Sequence, residues 1–235
     1  MLLEFQSRGS SSPYVERVWR SRSRNSGSFL SMAEGNIELV VTRLPGRLAV
    51  TLRGPVSQGS FVDCPRDGEW LAVRFRLGTY LRSFSTSTLM DHRSVNLPLV
   101  ADDRFRLEGQ TFEIPSFDNA EQLVSDFARA GLIARDSATD AALEGDVRWM
   151  SRRSVQRHFR RTTGMTFSSY GQIERARRAA SLLMDGHSIL HTAYEAGYAD
   201  QAHLTRSLKR LIGVTPAVLT GERPQLSFLF KTTGS

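Results

Sequence analysis

The stretch "YEAGYADQAHLTRSLKRLIGVTP", Tyr194 to Pro216, decides how this chain is read. Gly197 follows a helical segment, "SILHTAYEA", that Ser188 can cap. A glycine at that point permits the positive φ of a tight turn between two helices. Asp200 is then the cap of the next helix, because its carboxylate can accept from a backbone N–H left unpaired in the first turn. Leu204, Leu208 and Leu211 are spaced by four and three and form a buried stripe. Gln201, Ala202, Thr205, Arg206, Lys209 and Arg210 lie off that stripe, and Gly213 and Pro216 punctuate the end. The exposed side is therefore polar and basic, and it is either solvated surface or a reading face.

The preceding segment repeats the plan. In "WMSRRSVQRHFRRTTGMTFSSY", Ser151 is a good N-cap, Val155 and Phe159 share one face, and Gly164 is placed to end the helix. Arg153, Gln156, Arg157 and Arg160 fall on other faces. Gln and Arg can make bidentate hydrogen bonds to adenine and guanine edges. Between the two units runs "FSSYGQIERARRAASLLMDG", in which Tyr170, Ile173, Arg177, Ala180 and Leu183 follow helical spacing. About 18 residues at roughly 1.5 Å each give a connecting helix of roughly 27 Å. That length is compatible with two reading helices about one duplex turn, ~34 Å, apart.

Charge is confined to the same region. The chain of 235 residues carries 31 Lys+Arg, almost all arginine, against 24 Asp+Glu, a net charge of +7. Asp146 to Pro216 holds twelve basic and five acidic residues, so the entire excess of seven sits there. A localised basic face is the electrostatic footprint of a polyanion binder. No apolar run approaches the roughly 18 residues of a membrane span, and "MLLEFQSRGSSSPY" is too short in its apolar part for a signal peptide. A cytoplasmic protein without a membrane partner is expected. A single cysteine, Cys64, excludes an internal disulfide and any cysteine-rich zinc site. Cys64 is expected to be a small core residue.

The first half has period two. After a polar Ser/Arg-rich start, Ser7 to Ser28, "NIELVVTRL" places Ile37, Leu39 and Val41 on one side. "RLAVTLRG" does so with Leu48, Val50 and Leu52, and "EWLAVRFRLG" sets Leu71, Val73, Phe75 and Leu77 opposite Arg74 and Arg76. Alternation of this kind marks half-buried strands, and several short ones suggest an antiparallel sandwich or small barrel. "SFDNAEQLVSDFARAG" then reads as a helix capped by Asp118, with Glu121 three residues on, and closed by Gly131. The domain boundary is expected near Ala134 to Thr139. This divides the chain into a β-rich domain over 1–133, a helical domain over 140–220 and a tail over 221–235. In the tail, Phe228 and Phe230 alternate with polar neighbours, as a docking strand or a dimer contact would.

The helical half resembles the two-helix-turn-helix DNA-binding domain of the AraC/XylS family of bacterial transcription regulators, over about Leu143 to Leu219. The resemblance is densest at Ile189, Ala193, Gly197-Tyr198, Gln201, Leu204-Thr205-Arg206, Leu208-Lys209-Arg210, Gly213 and Thr215-Pro216. It continues through Met150-Ser151, Val155-Gln156-Arg157, Phe159, Gly164 and Tyr170. Where the family usually has a small residue, this chain has Trp149, which is expected to pack in the core or cap the turn. The resemblance implies reading helices over Arg152–Arg161 and Gln201–Leu211. Arg153, Gln156 and Arg157 would face bases in the first, and Gln201, Ala202, Thr205 and Arg206 in the second. Arg152, Arg160, Arg161, Lys209 and Arg210 would contact phosphates, which position without specifying sequence.

The fold implied is α+β: an N-terminal antiparallel β-barrel or sandwich, cupin-like, followed by an all-α double helix-turn-helix domain. The partner implied is double-stranded DNA, with a small-molecule effector, RNA polymerase and a second copy of the chain as further candidates. No cofactor, metal or enzymatic activity is expected. His92 stands alone in the β-rich half, and His187 and His191 lack a third ligand nearby. Two alternatives stand beside this reading. One is an enzyme carrying a basic module, such as a DNA-repair methyltransferase, which would need an activated Cys64. The other is a non-specific architectural DNA binder, which would show a steep salt dependence and little discrimination.

Overall fold

The computed structural model describes residues 3–91 and 93–221. The tail with Phe228 and Phe230 and the lone His92 lie outside the described residues. Besides a short 3-10 turn at Thr86–Thr88, the first half is mostly strands. In chain order they are β1 (Leu3–Gly9), β2 (Val15–Ser23), β3 (Gly27–Ser31), β4 (Glu38–Leu44), β5 (Arg47–Arg53), β6 (Ser60–Cys64), β7 (Glu69–Phe75), β8 (Thr79–Leu81), β9 (Val95–Leu97), β10 (Leu99–Ala101), β11 (Arg104–Leu107) and β12 (Gln110–Glu113). Helix α1 (Ala120–Arg129) and strand β13 (Ile133–Arg135) complete this half.

One six-stranded antiparallel sheet, in the order β1-β2-β7-β4-β5-β9, forms the frame. A three-stranded sheet (β10-β11-β12) and two strand pairs (β3-β6, β8-β13) lie around it. The sheets stay open, so the barrel alternative does not hold, and the antiparallel β-domain does. Val18, Leu39, Val41, Val50, Leu52, Val73 and Phe75 point to one face, as their alternation predicts, and pack under Phe105, Phe112 and Phe127. Phe127 of α1 meets Phe112 edge-on at 4.8 Å.

Two local expectations are corrected, and the polar start, to which the sequence pattern assigns no element, holds the end of β1, all of β2 and the start of β3. Val15 and Val18 supply its buried face, while outward side chains bond across the strand pair, as Arg20 does to Gln6 at 2.6 and 2.8 Å. A mostly polar strand is stable at a sheet margin where one face meets water. Helix α1 is preceded by Asn119, not capped by Asp118; the Asn119 side chain instead accepts from Ser116 N at 2.7 Å.

Arg74, which alternation placed opposite the core, is 1% exposed because the second face of the sheet is covered too. Its Nε donates to Glu38 Oε1 at 2.8 Å, and its guanidinium also pairs with Glu34. Trp19 Nε1 donates to the same Glu38 oxygen at 3.1 Å. Burial alone would raise the Glu38 carboxyl, but the Arg74 charge and the Trp19 hydrogen bond hold it below its ordinary value.

The second half is helical: α2 (Ser137–Glu144), α3 (Arg152–Thr163), α4 (Phe167–Met184), α5 (Ile189–Glu195), α6 (Gln201–Leu211) and α7 (Pro216–Gly221). Helix α2 occupies sequence that showed little periodicity. Its ends are set by Asp136, which accepts from Thr139 N at 2.8 Å, and by Gly145. Ile173, Ala176, Ala180, Leu183, Leu204, Leu208 and Leu211 make a second core, and Leu30, Met32 and Ala33 from the β-half are part of it. No described helix is long and apolar enough to cross a membrane.

Candidate nucleic-acid interface

The caps read from the sequence for α3, α5 and α6 are in place. Ser151 accepts from Ser154 N at 3.1 Å, Ser188 from His191 N at 3.2 Å and Asp200 from His203 N at 2.6 Å. Gly197, at φ 71, turns the chain between α5 and α6. Each cap removes a backbone donor that would otherwise be orphaned, so both exposed helices start at a defined residue. Leu204 and Leu208 are fully buried and Leu211 is 3% exposed, which sets the rotation of α6. That rotation leaves Gln201, Ala202, Arg206, Lys209 and Arg210 exposed and Thr205 half-buried. The Thr205 hydroxyl donates to Gln201 O at 2.8 Å, which spends its proton and leaves its oxygen an acceptor.

In the first unit, Phe159 is fully buried and packs edge-on against Phe167 at 5.1 Å. Arg152, Arg153, Gln156, Arg157 and Arg160 are exposed. Among the described residues, none of these arginines forms an ion pair, nor do Arg206, Lys209 and Arg210. Their charge is uncompensated and available to a polyanion.

Arg161 differs. It pairs with the buried Asp136 and its guanidinium lies 4.9 Å from the Tyr80 ring, in the β-half. His158 Nδ1 also meets Asp136 at 2.9 Å. These contacts tie Arg161 and His158 to Asp136, while the Arg161 side chain stays 54% exposed. Their cause is Asp136, which the helical spacing of α3 does not reveal. Trp149, expected to be packed, is 65% exposed. The turn closed by Met150 N on Val147 O at 3.0 Å carries its indole outward.

The second helix is also tied to the β-half. Ala33 N donates to Leu211 O at 2.8 Å, and Gly59 N donates to Arg210 O at 3.0 Å. These satisfy carbonyls at the C-terminal end of α6 that have no intrahelical partner. A Cβ on Gly59 would meet Ile212 C at 2.2 Å, so only glycine admits the approach. Segment 29–34 divides its side chains. Phe29, Ser31 and Glu34 line a cavity of about 410 Å³, whereas Leu30, Met32 and Ala33 enter the helical core. Trp19, Trp70 and Cys64 also line that cavity. Sequence reasoning missed this cavity because its wall is assembled from several strands. Cys64 is buried, and burial pushes its thiol up.

Residues 149–221 match the family model for the helix-turn-helix domain. The transcriptional regulator RipA of Corynebacterium glutamicum is 35% identical over 95 residues, 40% of this chain and 29% of that protein. RipA of Corynebacterium diphtheriae is 30% identical over 190 residues, 78% of this chain and 53% of that protein. The chain thus spans about half the length, or less, of these curated relatives. Among solved structures, ToxT from Vibrio cholerae aligns over 91% of this chain and 96% of its own, at 14% identity and a TM-score of 0.37.

Proposed function

We propose that this chain, whose C-terminal domain is a helix-turn-helix domain of the AraC/XylS type, acts as a sequence-specific DNA-binding transcription regulator. The observation that carries this is the pair of capped, anchored helices, α3 and α6, each presenting exposed Gln and Arg side chains with no carboxylate partner. Such faces suit the major groove, where a helix fits and Arg and Gln discriminate guanine and adenine. Arg153, Gln156 and Arg157 would read bases from α3, and Gln201, Ala202, Thr205 and Arg206 from α6. Ala202 and the Thr205 methyl suit a thymine methyl group. Arg152, Arg160, Lys209 and Arg210 would hold phosphates, whereas Arg161, engaged by Asp136, is left out of that set.

The β-half would control this activity. The backbone ties from Ala33 and Gly59 to the end of α6 support such control, as does the cavity sharing segment 29–34 with the helical core. A small-molecule effector in that cavity would act on a wall that also packs against the second reading helix. The buried Cys64, with its thiol raised, favours this reading over a cysteine-dependent enzyme. Selection of bound duplexes from a random pool, followed by competition at physiological salt, tests the proposal. Enrichment of one sequence is the expected outcome. Equal binding of selected and random duplexes would leave only a non-specific DNA binder.

A further inference from the structure

A notch between α4 and α6 has the chemistry of an oxyanion site. It is lined by Gln172 and Arg175 of α4, by Tyr198, and by His203, Arg206, Ser207 and Arg210 of or beside α6. No carboxylate lines it, and none of its three arginines forms an ion pair among the described residues. Three guanidinium groups gathered without a counter-charge repel one another, and that arrangement is relieved by an anion.

The notch is also built in advance. Arg175 is half-buried, and its Nη1 donates to Gly197 O, in the turn before α6, at 3.3 Å. Its guanidinium lies 5.5 Å from the Tyr198 ring, and Tyr198 Oη meets Ser207 Oγ at 3.0 Å. Across the notch, Arg210 Nη2 donates to Gln172 Oε1 at 2.7 Å. Arg175 and Arg210 each spend one donor of their five on the protein and keep the rest. A side chain already held in place loses little entropy on binding a ligand.

Its place on α6 identifies the anion. At about 100° per residue, His203, Ser207 and Arg210 fall on the flank of the buried stripe that faces α4. Gln201 and Thr205 fall on the other flank, and Arg206 lies between. A recognition helix in the major groove turns its flanks toward the sugar-phosphate strands that wall the groove. We infer that the α4–α6 notch binds one backbone phosphate of the duplex read by α6, with Arg175 of the connecting helix as a direct ligand beside Arg210. The inference rests on the DNA-binding reading above. It adds a contact from a helix to which that reading assigns none, and a contact that carries no sequence information.

The test is a salt titration of the full chain on two short labelled duplexes, one selected by the protein and one of random sequence. Each phosphate contact contributes about 0.9 to the slope of log affinity against log salt. Arg175→Gln is expected to lower the slope by up to about 0.9 on both duplexes, with the same fold-loss on each, and Arg175→Lys to keep most of it. The double variant Arg175→Gln/Arg210→Gln is expected to lose no more than about 0.9 in total, because both side chains hold one phosphate. An affinity of Arg175→Gln unchanged on both duplexes overturns the inference, as does loss on the selected duplex alone. A loss of about 1.8 in the double variant overturns the single-phosphate site. If Arg175→Gln lowers the melting temperature through its tie to Gly197, the titrations are run at a temperature where both wild type and variant remain folded. Failure of the wild type to prefer its selected duplex counts against the regulator reading, while the slopes still judge the notch.

Discussion

Arg206 is the residue on which sequence reading turns most directly. It is exposed, unpaired among the described residues and set at the middle of the free face of α6. Arg206→Ala is expected to relax preference at one base pair, at a cost of about 1–3 kcal/mol on the preferred duplex. A quantitative shift assay over single-base variants of the selected sequence checks this. A loss equal on every sequence would make Arg206 a phosphate ligand. Asp136 shows the opposite case, a residue whose weight comes from its partners. It caps α2 and accepts from His158 and Arg161 of α3.

Burial opposes the charged form of Asp136, but hydrogen bonds from His158, the Thr139 amide and Arg161 bring its carboxyl below the ordinary 3.8. A carboxyl lowered in the folded state contributes stability that is complete above the unfolded value and is lost as pH falls through the folded one. The affected window therefore lies below about pH 4. Asp136→Asn keeps a capping side chain but loses the charge, and is expected to destabilise the chain at neutral pH by about 2 kcal/mol. Denaturant melts at neutral and acid pH check both parts, since the gap between wild type and variant should shrink as the carboxylate is protonated.

At the scale of the element, α6 is held from two sides. Leu204, Leu208 and Leu211 bury its apolar stripe, and Ala33 and Gly59 bond its terminal carbonyls. Leu208→Ala removes a fully buried side chain from the second core and is expected to cost about 2–5 kcal/mol. Thermal or denaturant unfolding measures it, and a cost under about 1 kcal/mol would mean that the site collapses around the smaller residue. The α6 stripe, its cap at Asp200 and its turn at Gly197 are all visible in the sequence, because each depends on neighbours within one or two turns. The ties to Ala33 and Gly59 are invisible there, since their partners lie more than 150 positions away. Arg175 is missed for a similar reason. In "RARRAASLL" it reads as one of several basic residues on a long helix, and only the packing of α4 on Tyr198 sets it apart.

For the whole molecule, Gly59 is the most informative position to change. A Cβ there would meet the Ile212 and Gly213 backbone at 2.2–2.5 Å, and neither can move without displacing the end of α6. Gly59→Ala is expected to open the contact between the β-half and the second reading helix while leaving both cores intact. Hydrogen exchange of the Ala33 and Gly59 amides should quicken, with core amides of β4 and α4 unchanged. If the β-half controls DNA binding through this contact, the salt-corrected affinity of the variant will differ from wild type. An unaltered affinity with faster exchange would place control elsewhere.

The sequence by itself determined the two periods, the change between them, the caps and turns of both exposed helices, and the confinement of excess charge to one segment. All of these are local, set by spacing within an element or by the residue at its end. Tertiary structure decided that the polar start is strand, that the sheets remain open, that Arg74 is buried between Glu34 and Glu38, and that Arg161 turns to Asp136. It also made the cavity and the α4–α6 notch, which exist only where separate elements meet. The division has one physical reason. A helix or strand shows its buried face in its own periodicity, but what covers the other face, and which charge meets which, depends on chain segments far apart in sequence.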